Sequence, residues 1–226
     1  MNEIDGKTYD GRLHHPSRLL LIGKSGAGKT NFTINLLKES NQLFDEKFKN
    51  IYWFYGTDSP FRGEDPLNMV QNIHYIKGMP NDLTEYIDET IPNLLIFDDL
   101  FSEIMDSEQM VLLFTKWSTH SNTSVILLSQ DIFQNGKCAG NSRRTTITRN
   151  SNYMVIFRNP LDNTTISTIG SRIMPKQSKL LQKIFEAACN YKSYLFIDGH
   201  QSSPAELRFR TDIFGGSQRI FQTEIK

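Results

Sequence analysis

Cysteine is scarce in this 226-residue chain: Cys138 and Cys189 stand far apart and form no C-x-x-C pair. A disulfide framework and a thiolate zinc site are therefore both excluded as organising features, and both residues read as core thiols. No apolar run approaches the roughly 18 residues a membrane-spanning helix needs. The opening MNEIDGKTYD also lacks the basic-then-apolar pattern of a secretory leader. A surplus of charge is missing too, since 25 basic side chains meet 25 acidic ones. A broad nucleic-acid coat would normally be basic, so any contact with nucleic acid must be local. Internal repeats and low-complexity segments are absent as well.

What remains is ordinary globular material, 38% hydrophobic and 22% charged, with a length that suits one α/β domain. Residues 1–15 are polar and irregular, and read as a tail or a cover over a sheet; residues 16–226 read as the single domain. Short continuous apolar runs occur at 19–22, 51–55, 93–97, 124–128, 153–157 and 194–197. Continuous rather than alternating runs fit strands covered on both faces, as in a parallel sheet. Helical spacing lies between them at 30–39, 83–89, 107–118 and 178–189, and the stretch 56–72 reads as a loop-rich insertion. The alternation predicts a doubly wound, mainly parallel sheet flanked by helices.

Gly23-Lys24-Ser25-Gly26-Ala27-Gly28-Lys29-Thr30 matches G-x-x-x-x-G-K-[ST] in full. The glycines let successive backbone N–H groups turn inward around phosphate oxygens. Lys29 is placed for the β- and γ-phosphates and the Thr30 hydroxyl for Mg²⁺. An apolar strand feeds the loop and a helix leaves it, which a chance glycine-rich turn would not supply. The pattern predicts Mg-ATP binding.

Phosphoryl transfer also needs a carboxylate on the metal shell at a neighbouring strand end. Leu94–Leu100 ends its apolar run in Asp98 and Asp99. Asp98 is expected on the metal's water shell and Asp99 beside the attacking water. Like charges side by side make a poor core pattern unless a cation sits between them. The strand 124–128 runs through Ser129 into Gln130, whose amide can both donate to and accept from water. Taken alone, a strand-end glutamine is more often a surface residue; its place one strand after the Asp-Asp pair brings the two readings level.

Together these elements resemble the FtsK–HerA superfamily of ring-forming, DNA-pumping ATPases. The closer likeness is to the short genome-packaging ATPases of poxvirus-like viruses and Polinton-type elements. It runs from about Leu19 to Phe214 and rests on Leu20–Asn31, Leu94–Leu100, Leu127–Gly136, Arg144–Ile147, Asn150–Tyr153, Phe157–Pro160 and Leu207–Arg210. The resemblance implies a RecA-like P-loop fold and a ring, expected to be hexameric, that threads double-stranded DNA and docks on a capsid protein. It implies work at a virus assembly site in host cytoplasm or nucleus, with association to the virion. Gln130 looks like the family's sensor glutamine. Arg143, Arg144 and Arg149 are candidates for an arginine inserted into a neighbour's ATP site, with Arg144 favoured; a solvated loop is the competing reading of all three. One departure stands out: many members carry Asp-Glu where this chain has Asp98-Asp99. The rival functions are a small-molecule P-loop kinase and an ATP-gated assembly protein.

Overall fold

A computed structural model describes the chain except for residues 1, 5–6, 10, 57–60, 62, 101–102, 105–106, 131–139, 216–217 and 223–226, and gives the backbone alone of 2–4, 7–9 and 140–142. Strands β1 (Asn2–Ile4) and β2 (Lys7–Tyr9) form a separate antiparallel hairpin. The central sheet has nine strands: β3 (Arg18–Ile22), β4 (Asn50–Tyr55), β5 (Ile73–Lys77), β6 (Asn93–Asp98), β7 (Thr123–Ser129), β8 (Tyr153–Phe157), β9 (Tyr194–Asp198), β10 (Phe209–Thr211) and β11 (Arg219–Ile220). Their order across the sheet is β11-β10-β9-β8-β3-β7-β6-β4-β5. From β8 to β5 all neighbours are parallel, while β9, β10 and β11 pair antiparallel.

Both faces of the sheet are covered along β3, β4, β6, β7, β8 and β9, which is why the middles of those strands are mostly apolar. Leu19, Leu21, Trp53, Leu94, Ile96, Ile126 and Leu128 face a layer containing α1 (Lys29–Lys38) and α2 (Ser40–Leu43). Leu20, Ile22, Phe54, Leu95, Phe97, Val125 and Leu127 face the opposite layer. That layer is built from α3 (Glu108–Leu112), α4 (Gly140–Asn150), α5 (Thr164–Ile173) and α6 (Ser178–Lys192). Trp53 and Phe54 are fully buried on opposite faces, so the aromatic run of β4 is core rather than a base-stacking platform. From the segment read as tail or cover, Leu13 is buried and its backbone bonds to Leu43 and Asp45. His15 holds Ser124 and Asn122 at 2.7 and 2.8 Å, against the start of β7.

Several local expectations need correction. Residues 83–89 form a 3-10 turn over Leu83–Tyr86 and not a longer helix: Asp82 caps its start, but the chain turns extended at Ile87 and Asp88 binds the Thr90 amide to close a separate turn. The stretch 56–72 is followed by an edge strand, β5, whose half-exposed Ile-His-Tyr-Ile-Lys lacks the apolar signal of a covered strand. The three arginines sit on a helix, not a loop; its Thr-rich sequence hides it, since β-branched residues are weak helix formers. Strand β9 runs antiparallel despite its continuous apolar sequence. Two helices in succession, α5 and α6, return the chain to the edge where β8 ended, so β9 must run back. Cys189 is buried as expected, and Cys138 lies outside the described residues.

Candidate functional site

The carboxyl ends of β3, β7 and β6 lie side by side, with β7 between the other two. Gly23, Asp99 and Gln130, which directly follow β3, β6 and β7, therefore meet at one edge of the sheet, where ligands of open parallel sheets bind. After β3 the chain turns through Gly23, whose N–H donates to the Ser129 carbonyl at 3.1 Å and so joins the loop to β7. A Cβ on Gly23 would lie 2.8 Å from the Phe157 Cβ, so no larger residue fits between loop and β8. Gly26 and Gly28 have φ of 76° and 100°, left-handed values that other residues resist. Gly28 caps α1, which leaves the amides of its first turn open to the loop.

Lys29 is buried, and its Nζ donates to the carbonyls of Gly23 and Lys24. Burial lowers its pKa, while Asp98 and Asp99 act to raise it. The Thr30 hydroxyl donates to Asp98 at 3.2 Å. Burial pushes the Asp98 pKa up; the Thr30 hydrogen bond and the Lys29 ammonium pull it down, and Asp99 adds to the rise. The two acidic strand-end residues are thus unequal. Asp98 is enclosed and paired to the loop, whereas Asp99 is exposed and has a φ of 56°. Aspartate tolerates that left-handed geometry better than longer residues do, which is a physical reason for Asp rather than Glu there.

The hydroxyl and carboxylate of Thr30 and Asp98 are hard oxygen donors of the kind Mg²⁺ prefers. Among the described residues no cluster of three or more His, Cys, Asp or Glu could cage a metal alone. A cation between them must take its other ligands from phosphate and water, the usual habit of Mg²⁺. Gln130 follows Ser129 directly and is exposed at the same edge, one strand from both the loop and the Asp pair. Residues 131–136 of the segment matched beyond it lie outside the described residues.

The three arginines are divided. Helix α4 ends at the start of β8, so Arg149, in its last turn, stands at the far edge, while Arg143 and Arg144, more than a turn earlier, stand nearer the nucleotide edge. All of α4 belongs to the layer opposite α1. Arg143 approaches Glu108 at 4.0 Å, and Arg144 is half-buried.

One supporting residue has no signature in any motif. Gly56, just past β4, donates its N–H to the Asp98 carbonyl at 3.0 Å. A Cβ there would stand 2.0 Å from the Asp99 carbonyl oxygen. The only sequence signal is a glycine ending an apolar strand. We expect Gly56→Ala to displace the Asp98-Asp99 turn and cut kcat about 100-fold, the usual cost of a misplacement near 1 Å. Binding of an ATP analogue should change less than about threefold, since Gly23 to Thr30 are untouched. Steady-state hydrolysis beside equilibrium binding checks this, and an unchanged kcat would contradict it.

Residues 7–197 match a family described as Poxvirus A32 protein. No curated protein sequence matches the chain. Among solved structures, the fold is similar to the genome packaging NTPase B204 from Sulfolobus turreted icosahedral virus 2 in complex with ATP-gammaS. That similarity has a TM-score of 0.53 at 12% identity, over 81% of this chain and 93% of the other. A more distant match is EssC (ATPases 2 and 3) from Geobacillus thermodenitrificans, with a TM-score of 0.42 at 11% identity over 62% of this chain and 32% of the other.

Proposed function

The chain belongs to the Poxvirus A32 protein family, and from that premise we infer that it is an ATPase that drives the packaging of viral DNA. The observation that carries this reading is the juxtaposition at one sheet edge of a full phosphate loop, the Thr30–Asp98 pair and Gln130. It binds ATP through Gly23, Lys24, Ser25, Gly26, Ala27, Gly28, Lys29 and Thr30. The backbone amides take the phosphate oxygens, and Lys29 exchanges its two carbonyl partners for the β- and γ-phosphates. Thr30 and Asp98 hold Mg²⁺, which when bound neutralises charge on the β- and γ-oxygens. Asp99, exposed beside that pair, polarises the attacking water, and Gln130 orients it.

The loop is half of a site in this reading. Arg144 of a neighbouring copy supplies the cation that meets charge developing on the γ-phosphate. The protein works as an oligomer on DNA at the virus assembly site of an infected cell. We assign the oligomer as a hexameric ring on double-stranded DNA, seated on a capsid protein in cytoplasm or nucleus. Residues 16–226 act as one ATPase domain, with 1–15 as its cover. No described helix is long and apolar enough to cross a membrane.

Particle mass in the presence of double-stranded DNA and a non-hydrolysable ATP analogue tests the assembly. A ring of subunits is expected. A monomer that ignores DNA and phosphorylates a nucleoside would replace this reading with a P-loop kinase.

A further inference from the structure

Net charge zero conceals a strong segregation of charge. From residue 78 to 115 the chain holds nine acidic residues and no Lys or Arg. From 132 to 185 it holds nine Lys and Arg and a single acid, Asp162. Both runs contribute to the same helical layer of the sheet, since Leu83 of the first and Ile147, Ile169 and Leu181 of the second share one core cluster. Of the acidic side chains, Asp82, Glu85, Asp88 and Glu89 are exposed on the crossover between β5 and β6. Tyr86 in that crossover packs its ring on Tyr52 and Phe54 of β4, which fixes it over that strand.

Two members of the basic run, Arg149 and Arg172, line a cavity of about 430 Å³ at the far edge from the phosphate loop. Met154, Ile169, Ile173 and Ile197 supply apolar lining, and Arg149 and Arg172, both exposed, supply its charge. Exposed Lys176, in the turn between α5 and α6, and Lys179 and Lys183 on α6 carry the same sign. Strands β6, β7 and β3 separate β4 from β8. Four strand spacings amount to roughly 19 Å, so crossover and cavity are too far apart to neutralise each other within one chain. That distance also exceeds the roughly 8 Å screening length at physiological salt.

We propose that the Arg149–Arg172 cavity is a socket for the acidic crossover 82–89 of a second copy of this chain. The pairing rests on the oligomeric reading above and says which surfaces meet. A contact between two different patches is heterologous, the kind of interface from which a ring is built when the rotation closes. Opposite charge at its two members sets the register and speeds association. A second copy fits because its crossover presents Asp82, Glu85, Asp88 and Glu89 together as exposed carboxylates, the charge complement of Arg149 and Arg172. The crossover needs no rearrangement to dock, as Asp82 and Asp88 already hold its turns through Thr84 and Thr90.

A charge swap read by sedimentation velocity tests this with full-length protein and ATP analogue present. Glu85 and Glu89 are suitable for reversal because they take no part in those turns. Arg149→Glu with Arg172→Glu, and separately Glu85→Lys with Glu89→Lys, should each weaken assembly at least tenfold, about the coupling a close charge pair can supply. Neither variant self-complements, yet an equal mixture should assemble by strict alternation, and the fourfold variant should assemble alone. Wild-type assembly should weaken about tenfold between roughly 50 and 500 mM salt. Circular dichroism and analogue binding, with the phosphate loop intact in every variant, show that each is folded and report the nucleotide reading separately. Assembly of either double variant at wild-type strength, or a mixture that stays dissociated, would overturn the proposal. So would loss of DNA binding in Arg149→Glu, Arg172→Glu with assembly unchanged, which would make the cavity a phosphate-backbone site.

Discussion

Arg144→Ala should reduce ATP turnover by about 10³-fold or more while leaving ATP binding intact, the range an arginine acting on the γ-phosphate commands. Arg144 stands nearer the nucleotide edge than Arg149 on α4, yet α4 lies in the layer opposite α1. In the proposed function it acts on a neighbour's site. The consequence is a complementation test between two inactive proteins. Arg144→Ala keeps its own phosphate loop, and Lys29→Ala keeps its own arginine. Mixed in equal amounts, they should regain activity at about a quarter of their interfaces, because each heterologous interface draws its two members at random. An Arg144→Ala protein with wild-type turnover would remove Arg144 from the site. A dead protein that no partner rescues would place its role within its own chain.

Lys29→Ala should lower hydrolysis at least 100-fold, in line with the loss of one preorganised charged donor from a phosphoryl-transfer site. The effect has two parts in this structure. The ammonium that meets the γ-phosphate disappears, and so does a positive charge that holds the Asp98 pKa down. With burial and Asp99 then less opposed, the Asp98 pKa is pushed further up. Lys29→Arg should not restore the rate, since a planar guanidinium cannot reach the pocket closed by the Gly23 and Lys24 carbonyls. Hydrolysis and analogue binding, measured on the same preparations, separate the lost chemistry from lost affinity.

Much of this site is legible in the sequence because it is local. A phosphate loop is eight consecutive residues, and its glycines are demanded by backbone geometry that the structure displays at Gly26 and Gly28. The covered strands are equally legible, since burial on two faces leaves a continuous apolar run. What stays hidden depends on residues distant in sequence. Gly56 matters only because the Asp99 carbonyl folds against it across a strand pair. The antiparallel direction of β9 follows from counting helices, not from the strand's own residues. Helix α4 carries few good helix formers, so Arg143, Arg144 and Arg149 look like a loop until the fold separates the first two from the third. The charge segregation is present in the linear sequence but acquires meaning only when both runs fall in one layer, several strands apart.

Coupling of nucleotide hydrolysis at this loop to DNA is read directly by the steady-state rate of ATP hydrolysis by the full chain with and without double-stranded DNA, for wild type and Lys29→Ala side by side. The rate should rise with DNA in the wild type and stay near background in Lys29→Ala under both conditions. A wild-type rate indifferent to DNA, or DNA-stimulated hydrolysis that survives in Lys29→Ala, would contradict that coupling.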